Sequence, residues 1–275
     1  MTVLFELARK EWRDGLRNRW VAAAILLLAG LALLLALLGT TPTGSVKASA
    51  LAVTLASLAS LTVYLLPLIA LMLAYDAVVG EAERGTLLLL LSYPVPRWTV
   101  ILGKFLGHLG ILALALLIGY GGPSLWVAFA RSSAPGDWIA LAALLASSLL
   151  LGATFLALGY LISAIVRERA TAVGVAIGLW LVMVVLYDLG LLALLVADSS
   201  QSIGQGLFAL LLLINPTDAF RLFNLMGSET TALVSGLAGI ETGKAWFGPL
   251  GLASIGVWLV GALTASILVL QRKEL

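Results

Sequence analysis

The chain has 275 residues, of which 61% are hydrophobic and 11% charged, with a net charge of +2 and a mean hydropathy of +1.10. A soluble domain carries about 25% charged residues, so these few charges cannot cover a water-exposed surface and the bilayer must be the solvent for most of the chain. The basic residues lie beside apolar runs and do not mark a nucleic-acid binder, and with no cysteine there is no disulfide, thiolate metal site or thiol redox motif.

Charge-free intervals set the elements in chain order. Residues 1–19 form a basic segment, LFELARKEWRDGLRNRW, in which Phe5, Ala8, Trp12, Leu16 and Trp20 recur at helical spacing. This is expected to be an amphipathic helix on the inner membrane face, acting either as a topology anchor or as a contact for a cytoplasmic partner. The apolar run Trp20–Leu38 follows. It is longer than a signal-peptide core and no small-x-small cleavage site follows it, so it is read as the first span and not as a leader. The second span is about Ala50–Tyr75, with a kink at Pro67. The third is about Phe105–Tyr120, with Trp98 as an earlier possible start, and the fourth is about Ile139–Val166. The fifth, about Ala172–Val196, is interrupted by Asp188, and the sixth is about Phe247–Leu270. Leu207–Ile214 is too short to cross and is read as a re-entrant or surface helix. Trp20, Trp98, Trp126, Trp138 and Trp246 fall near span ends, where indole rings prefer to sit.

Lysine and arginine give the orientation. Arg9, Lys10, Arg13, Arg17, Arg19, Arg84, Arg97, Lys104, Arg167, Arg169, Arg272 and Lys273 fall on one side, and Lys47, Arg131, Arg221 and Lys244 on the other. The first side is therefore cytoplasmic, with both termini inside. The fold class is an all-α membrane protein. Residues 1–19 form an interfacial helix and residues 20–275 a six-span domain, with an inner loop at 76–97 and an outer loop at 198–244. Arg167–Arg169 is a tight inner turn.

The inner loop, DAVVGEAERGTLLLLLSYPVPRWTVILGK, starts polar, runs through five leucines too few to span, and ends at two prolines. That pattern predicts a short helix wedged at the interface, its apolar side on the spans and its polar end toward the cytoplasm. The succession Glu81, Glu83, Arg84, Gly85, Thr86, an apolar run, Ser92, Pro94, Arg97, Gly103 and Lys104 resembles the first cytoplasmic loop of ABC-2-type transporter permeases. The basic N-terminal helix, the span count, the Arg167-Glu168-Arg169 turn and the long last outer loop extend the resemblance over nearly the whole chain. KEWRDGLRNRW, YDAVVGEAERGTLLLLLSYPVPR and INPTDAFRLFN resemble the branch of that family that serves maturation of periplasmic nitrous oxide reductase.

The resemblance implies a good deal. Glu81 to Arg97 would be a coupling helix docked on a separate cytoplasmic ATPase dimer, with Arg167, Glu168 and Arg169 beside it. ATP and magnesium would bind in that partner and none in this chain, which would be a non-catalytic subunit. Two copies of the chain would form the core in the bacterial inner membrane. A periplasmic β-helical protein would be an accessory, facing the outer loop with Asn215, Pro216, Asp218 and Arg221. The sequence has no G-x-x-x-x-G-K-[ST] phosphate loop, since Gly103-Lys104 and Gly243-Lys244 lack the upstream glycine and the following hydroxyl.

Three single features remain. Asp188, a carboxylate in an apolar run, is explained by protonation, by an aqueous cargo pathway, or by a position nearer the outer surface. Gly174 and Gly178 have the spacing for close helix contact, in the homodimer or within the chain. His108, the one histidine, is expected to be a hydrogen-bonded packing residue and not a ligand. No catalytic set or metal cluster can be assembled. Copper(I) passage needs soft ligands, and Met1, Met72, Met183, Met226 and His108 are too few and too scattered, so the permease is expected not to conduct copper. Three other readings stay open: another ABC-2 exporter (of drug, lipid or polysaccharide), an intramembrane enzyme, and a transmitter of force that moves no cargo.

Overall fold

Apolar helices without water must satisfy every backbone group internally, and the described chain is helical throughout, with no strand. In the computed structural model, residues 2–38, 49–130, 135–197, 205–226 and 247–273 are described. The helices are α1 (Thr2–Leu16), α2 (Arg19–Leu38), α3 (Ala50–Ala74), α4 (Val79–Glu83), α5 (Thr86–Leu91), α6 (Arg97–Leu116), α7 (Gly122–Ala130), α8 (Pro135–Ile165), α9 (Arg169–Trp180), α10 (Tyr187–Ala197), α11 (Gln205–Ile214), α12 (Pro216–Met226) and α13 (Phe247–Arg272). A π-helical turn at Leu117–Gly121 joins α6 to α7, and another at Leu181–Leu186 joins α9 to α10.

Six of these helical segments are long and apolar enough to cross a membrane. They match the six expected spans with two differences. The third starts at Arg97, next to the earlier start allowed at Trp98, and runs to Ala130, well past Tyr120, because its π turn lets the helix continue through the glycines at 119, 121 and 122. α3 is continuous through Pro67. The short apolar run at 207–214 is a helix, and the chain turns by 119° at Asn215 into α12. Trp20, Trp98, Trp126 and Trp138 are all exposed near helix ends, and Trp246 lies outside the described residues. So do Lys47, Arg131, Lys244 and most of the 198–244 loop.

α8 is the centre, packed against α3, α6 and α13. Tyr160, Phe155, Tyr120 and Phe220 are the largest side chains it helps to bury. α9–α10 is the opposite case, with 6% of its most apolar window buried against 56% for the α3, α6 and α8 spans. Gly174 and Gly178 on it face open space.

Of the stripe expected on α1, Ala8 and Trp12 turn onto the bundle and Phe5, Leu16 and Trp20 do not. Leu4, Leu7, Ala8, Glu11, Trp12 and Gly15 turn inward, while Phe5 and Leu16 are exposed. The reason is on α6, where Gly103, Gly107 and Gly110 make a groove. A methyl group on Gly107 would lie 2.6 Å from Glu11 Cβ and 2.7 Å from the Ala8 carbonyl, so only glycine lets the backbones approach. Contacts advance from Leu7 on Gly103 to Trp12 on Gly110 and Gly15 on Ile111, so α1 runs in the same direction as α6.

Two helix ends are tied together at the same end of the bundle. Arg97 donates to the carbonyls of Leu270, Gln271 and Lys273 at 2.7, 2.8 and 3.1 Å, filling the unsatisfied acceptors at the C-terminus of α13. Lys273 does the same for α8, donating to Ala164 and Val166 carbonyls at 3.0 and 3.2 Å.

Candidate functional site

The 76–97 loop folds into two short helices instead of one. Gly85, at φ +72°, separates α4 from α5 with the left-handed turn that glycine tolerates best. Ser163, near the end of α8, fixes its start by accepting the backbone N–H groups of Val78 and Val79 at 2.9 and 3.0 Å. Glu83 accepts the N–H of Arg169 at 2.8 Å, capping the first turn of α9. Asp76 pairs with Arg169 at 2.6 Å and lies 4.0 Å from Arg84.

Glu81 turns away from solvent. Its carboxylate and that of Glu11 on α1 each lie 2.7 Å from the ammonium of Lys104 on α6, which is almost wholly buried. Lys10 adds a longer contact to Glu81 at 3.6 Å. Burial by itself raises the Glu11 pKa, but Lys104, His108 and Lys10 outweigh it and hold the carboxyl below its ordinary value. His108 continues the chain of contacts: Nε2 is 3.5 Å from Glu11, and Nδ1 is hydrogen-bonded to the Tyr160 hydroxyl of α8 at 2.7 Å. A polar cavity of about 490 Å³ opens beside this group, walled by α1, α3, α4, α6 and α9. Four elements, α1, α4, α6 and α8, are thus joined through one buried cation and one imidazole, and none can shift without straining the others.

The remaining loop residues face outward. Thr86, Leu88, Leu89, Ser92, Tyr93 and Pro94 are exposed, with Leu87 buried beneath them. Arg167 and Glu168 are exposed in the turn that precedes α9. Arg97, by contrast, is committed to α13.

A second polar group lies toward the other end of the bundle. The π turn gives Tyr187 N–H to Val182, leaving the Met183 carbonyl without its helical partner. Asn215 donates its amide to that carbonyl at 2.6 Å and accepts the N–H of Thr217 at 3.0 Å, so it caps α12 and repairs α10 at once. Pro216 takes the first helical position, where no N–H is needed. Arg221 on α12 reaches Asp188 at 2.5 Å and Asp218 at 3.1 Å, and Tyr64 of α3 at 3.3 Å. Asp188 is therefore ion-paired.

Glu11, Tyr160 and Ser163 were not singled out in the sequence. A lysine in a largely apolar helix, as Lys104 is, calls for a carboxylate partner, but nothing in the sequence picks out Glu11 for that part. Among the described residues no group of three or more metal-binding side chains is found.

The profile of the ABC-2 family transporter proteins matches residues 5–275. The chain belongs to the ABC-2 transporter family. It is 47% identical over 239 residues, 86% of each chain, to a protein named as the probable ABC transporter permease protein NosY of Stutzerimonas stutzeri. It is 48% identical over 234 residues, 84% of this chain and 85% of the other, to the protein of the same name in Pseudomonas aeruginosa. This ABC-2 protein is a multi-pass membrane permease, and the loop and both polar groups lie within the matched region.

Proposed function

We propose that this permease couples ATP hydrolysis by a separate cytoplasmic ATPase dimer, which holds the ATP and magnesium, to a change of state across the bacterial inner membrane. The change serves maturation of periplasmic nitrous oxide reductase. Both termini are cytoplasmic, on the side with twelve of the sixteen Lys and Arg residues. The active unit is a homodimer, supported by the exposed α9–α10 face and by the need of six spans for a second half. A periplasmic β-helical protein contacts the outer loop, in which Asn215, Pro216, Asp218 and Arg221 belong to the part nearest the bundle.

The observation that carries this reading is the two-sided character of the 76–97 loop. Its Glu81 is spent inward on Lys104 and Glu83, at the surface, is tied to the Arg169 N–H, while Leu88, Leu89 and Tyr93 are left exposed. An anchored base with an apolar outer rim suits a docking helix that must carry load. Motion imposed on the rim passes through Glu81 to α6 and α1, and through His108 and Tyr160 to α8. Arg84, Gly85, Thr86, Ser92 and Pro94 shape the rim, and Arg167, Glu168 and Arg169 are its neighbours.

Replacing Leu88, Leu89 and Tyr93 together with glutamate tests this. The ATPase is expected to be lost on copurification in mild detergent, while the permease still inserts and keeps its unfolding temperature. Retention of a fully active ATPase by the triple variant overturns the coupling assignment.

A further inference from the structure

Two carboxylates meet on one guanidinium nitrogen between α10 and α12. Arg221 Nη1 lies 2.5 Å from Asp188 Oδ2 and 3.1 Å from Asp218 Oδ1. Both carboxyl groups therefore converge on that one nitrogen. Asp218 is 1% exposed, and its second oxygen, Oδ2, is buried with no partner.

The group therefore holds two negative charges against one positive. Among the described residues, nothing packed around it supplies another. α3 contributes Tyr64, which meets Arg221 through its hydroxyl at 3.3 Å and its ring at 5.6 Å. Tyr187 of α10 donates its hydroxyl to the Leu211 carbonyl at 2.7 Å. α11 has no ionisable residue. α8 has Asp137 and Tyr160, bonded to Ser49 and His108, and α13 has Arg272 at its last position. A surplus buried charge and an orphaned acceptor are both unfavourable. One proton between the carboxyls removes both, as in other close carboxyl pairs.

We propose that Asp188 and Asp218 form a proton-binding site, sharing one proton on Arg221, whose occupancy holds α12 against α10. The site is set by charge and burial within this chain, independently of ATPase coupling. At 1.5 Å per residue Asp188 stands about 28 Å along the helix from Arg169, close to the full thickness of a hydrocarbon core. Arg221 is partly exposed, so water on that side can deliver and receive the proton. When the proton leaves, two carboxylates share one guanidinium nitrogen, and the α11–α12 hairpin loosens from the fifth span.

The test is infrared difference spectroscopy of the full-length permease in lipid nanodiscs, in potassium buffer, stepped from neutral to alkaline pH. A protonated-carboxyl C=O band that shifts in D2O is expected at neutral pH. It should vanish in both D188N and D218N and persist in E81Q. Absence of the band in the wild-type protein, or its survival in both variants, overturns the site. Loss of the band when sodium replaces potassium assigns the site to a metal cation and overturns it equally. Thermal unfolding guards against misfolded variants. D218N should match the wild-type midpoint at neutral pH and lose the alkaline destabilisation. A wild-type midpoint equally insensitive to that step overturns the clamp.

Discussion

Replacing Lys104 with methionine removes the central cation of the loop anchor while keeping the length of the side chain. Glu11 and Glu81, both mostly buried, are then left facing each other. Breaking a buried ion pair by deleting one partner costs about 3–5 kcal/mol. The adjoining cavity admits water to one side, which places the effect near the lower end. At about 2–4 °C per kcal/mol for a chain of roughly this size, a loss of about 3 kcal/mol lowers the unfolding midpoint by about 6–12 °C. Tryptophan fluorescence in detergent reports it, since Trp12 sits in the groove beside Gly110. The triple variant K104M/E11Q/E81Q carries no orphan charge and should recover most of the loss. A K104M protein that unfolds at the wild-type temperature refutes the reasoning, as does a triple variant that unfolds as early as K104M.

G107A should push α1 off α6, since the added methyl meets backbone at 2.7 Å. The cost is about 1–3 kcal/mol, read as faster tryptic cleavage at Arg9 to Arg13 in inside-out vesicles, with G30A, where the methyl meets nothing within 4 Å, unchanged. Single cysteines at Thr43 and Ser228 should react with an impermeant thiol reagent in whole cells and one at Ser92 should not. Labelling at Ser92 alone reverses the orientation. Replacement of Met72, Met183 and Met226 by leucine should leave enzyme maturation intact. Failed copper delivery in a correctly inserted, ATPase-coupled variant would show that the permease handles the metal itself.

The spans were legible because composition and length decide them, and both are local. What the sequence concealed was pairing at a distance. Lys104 looked like part of a loop motif, yet its partners lie 93 and 23 positions earlier, at Glu11 and Glu81, and no periodicity connects them. Glu81 and Arg97 read as surface residues of the loop because polar groups beside a span usually are. Their actual contacts follow from α4 folding back on α6 and from the C-terminal end of α13 arriving beside Pro96. Asn215 and Pro216 were read only as part of an outer loop, and the task of Asn215 in serving the carbonyl freed at Met183 depended on a π turn that the apolar run around it does not betray. That the stripe of α1 divides between the bundle and the outside was hidden for the same reason. A glycine groove on a distant helix outranked the apolar stripe that α1 shows when read alone.

The docking of α1 on α6 has a consequence for biogenesis. Glu11 leaves the ribosome roughly 90 residues before the groove that receives it. At about 5–20 residues per second, α1 is made about 5 to 18 s before Lys104 exists. Through that interval the first helix holds a carboxylate without its cation and an apolar ridge without its cleft. The earliest part of the chain to be synthesised thus waits for the third span before it can be seated, and its arrival ties the inner loop to the bundle through Lys104.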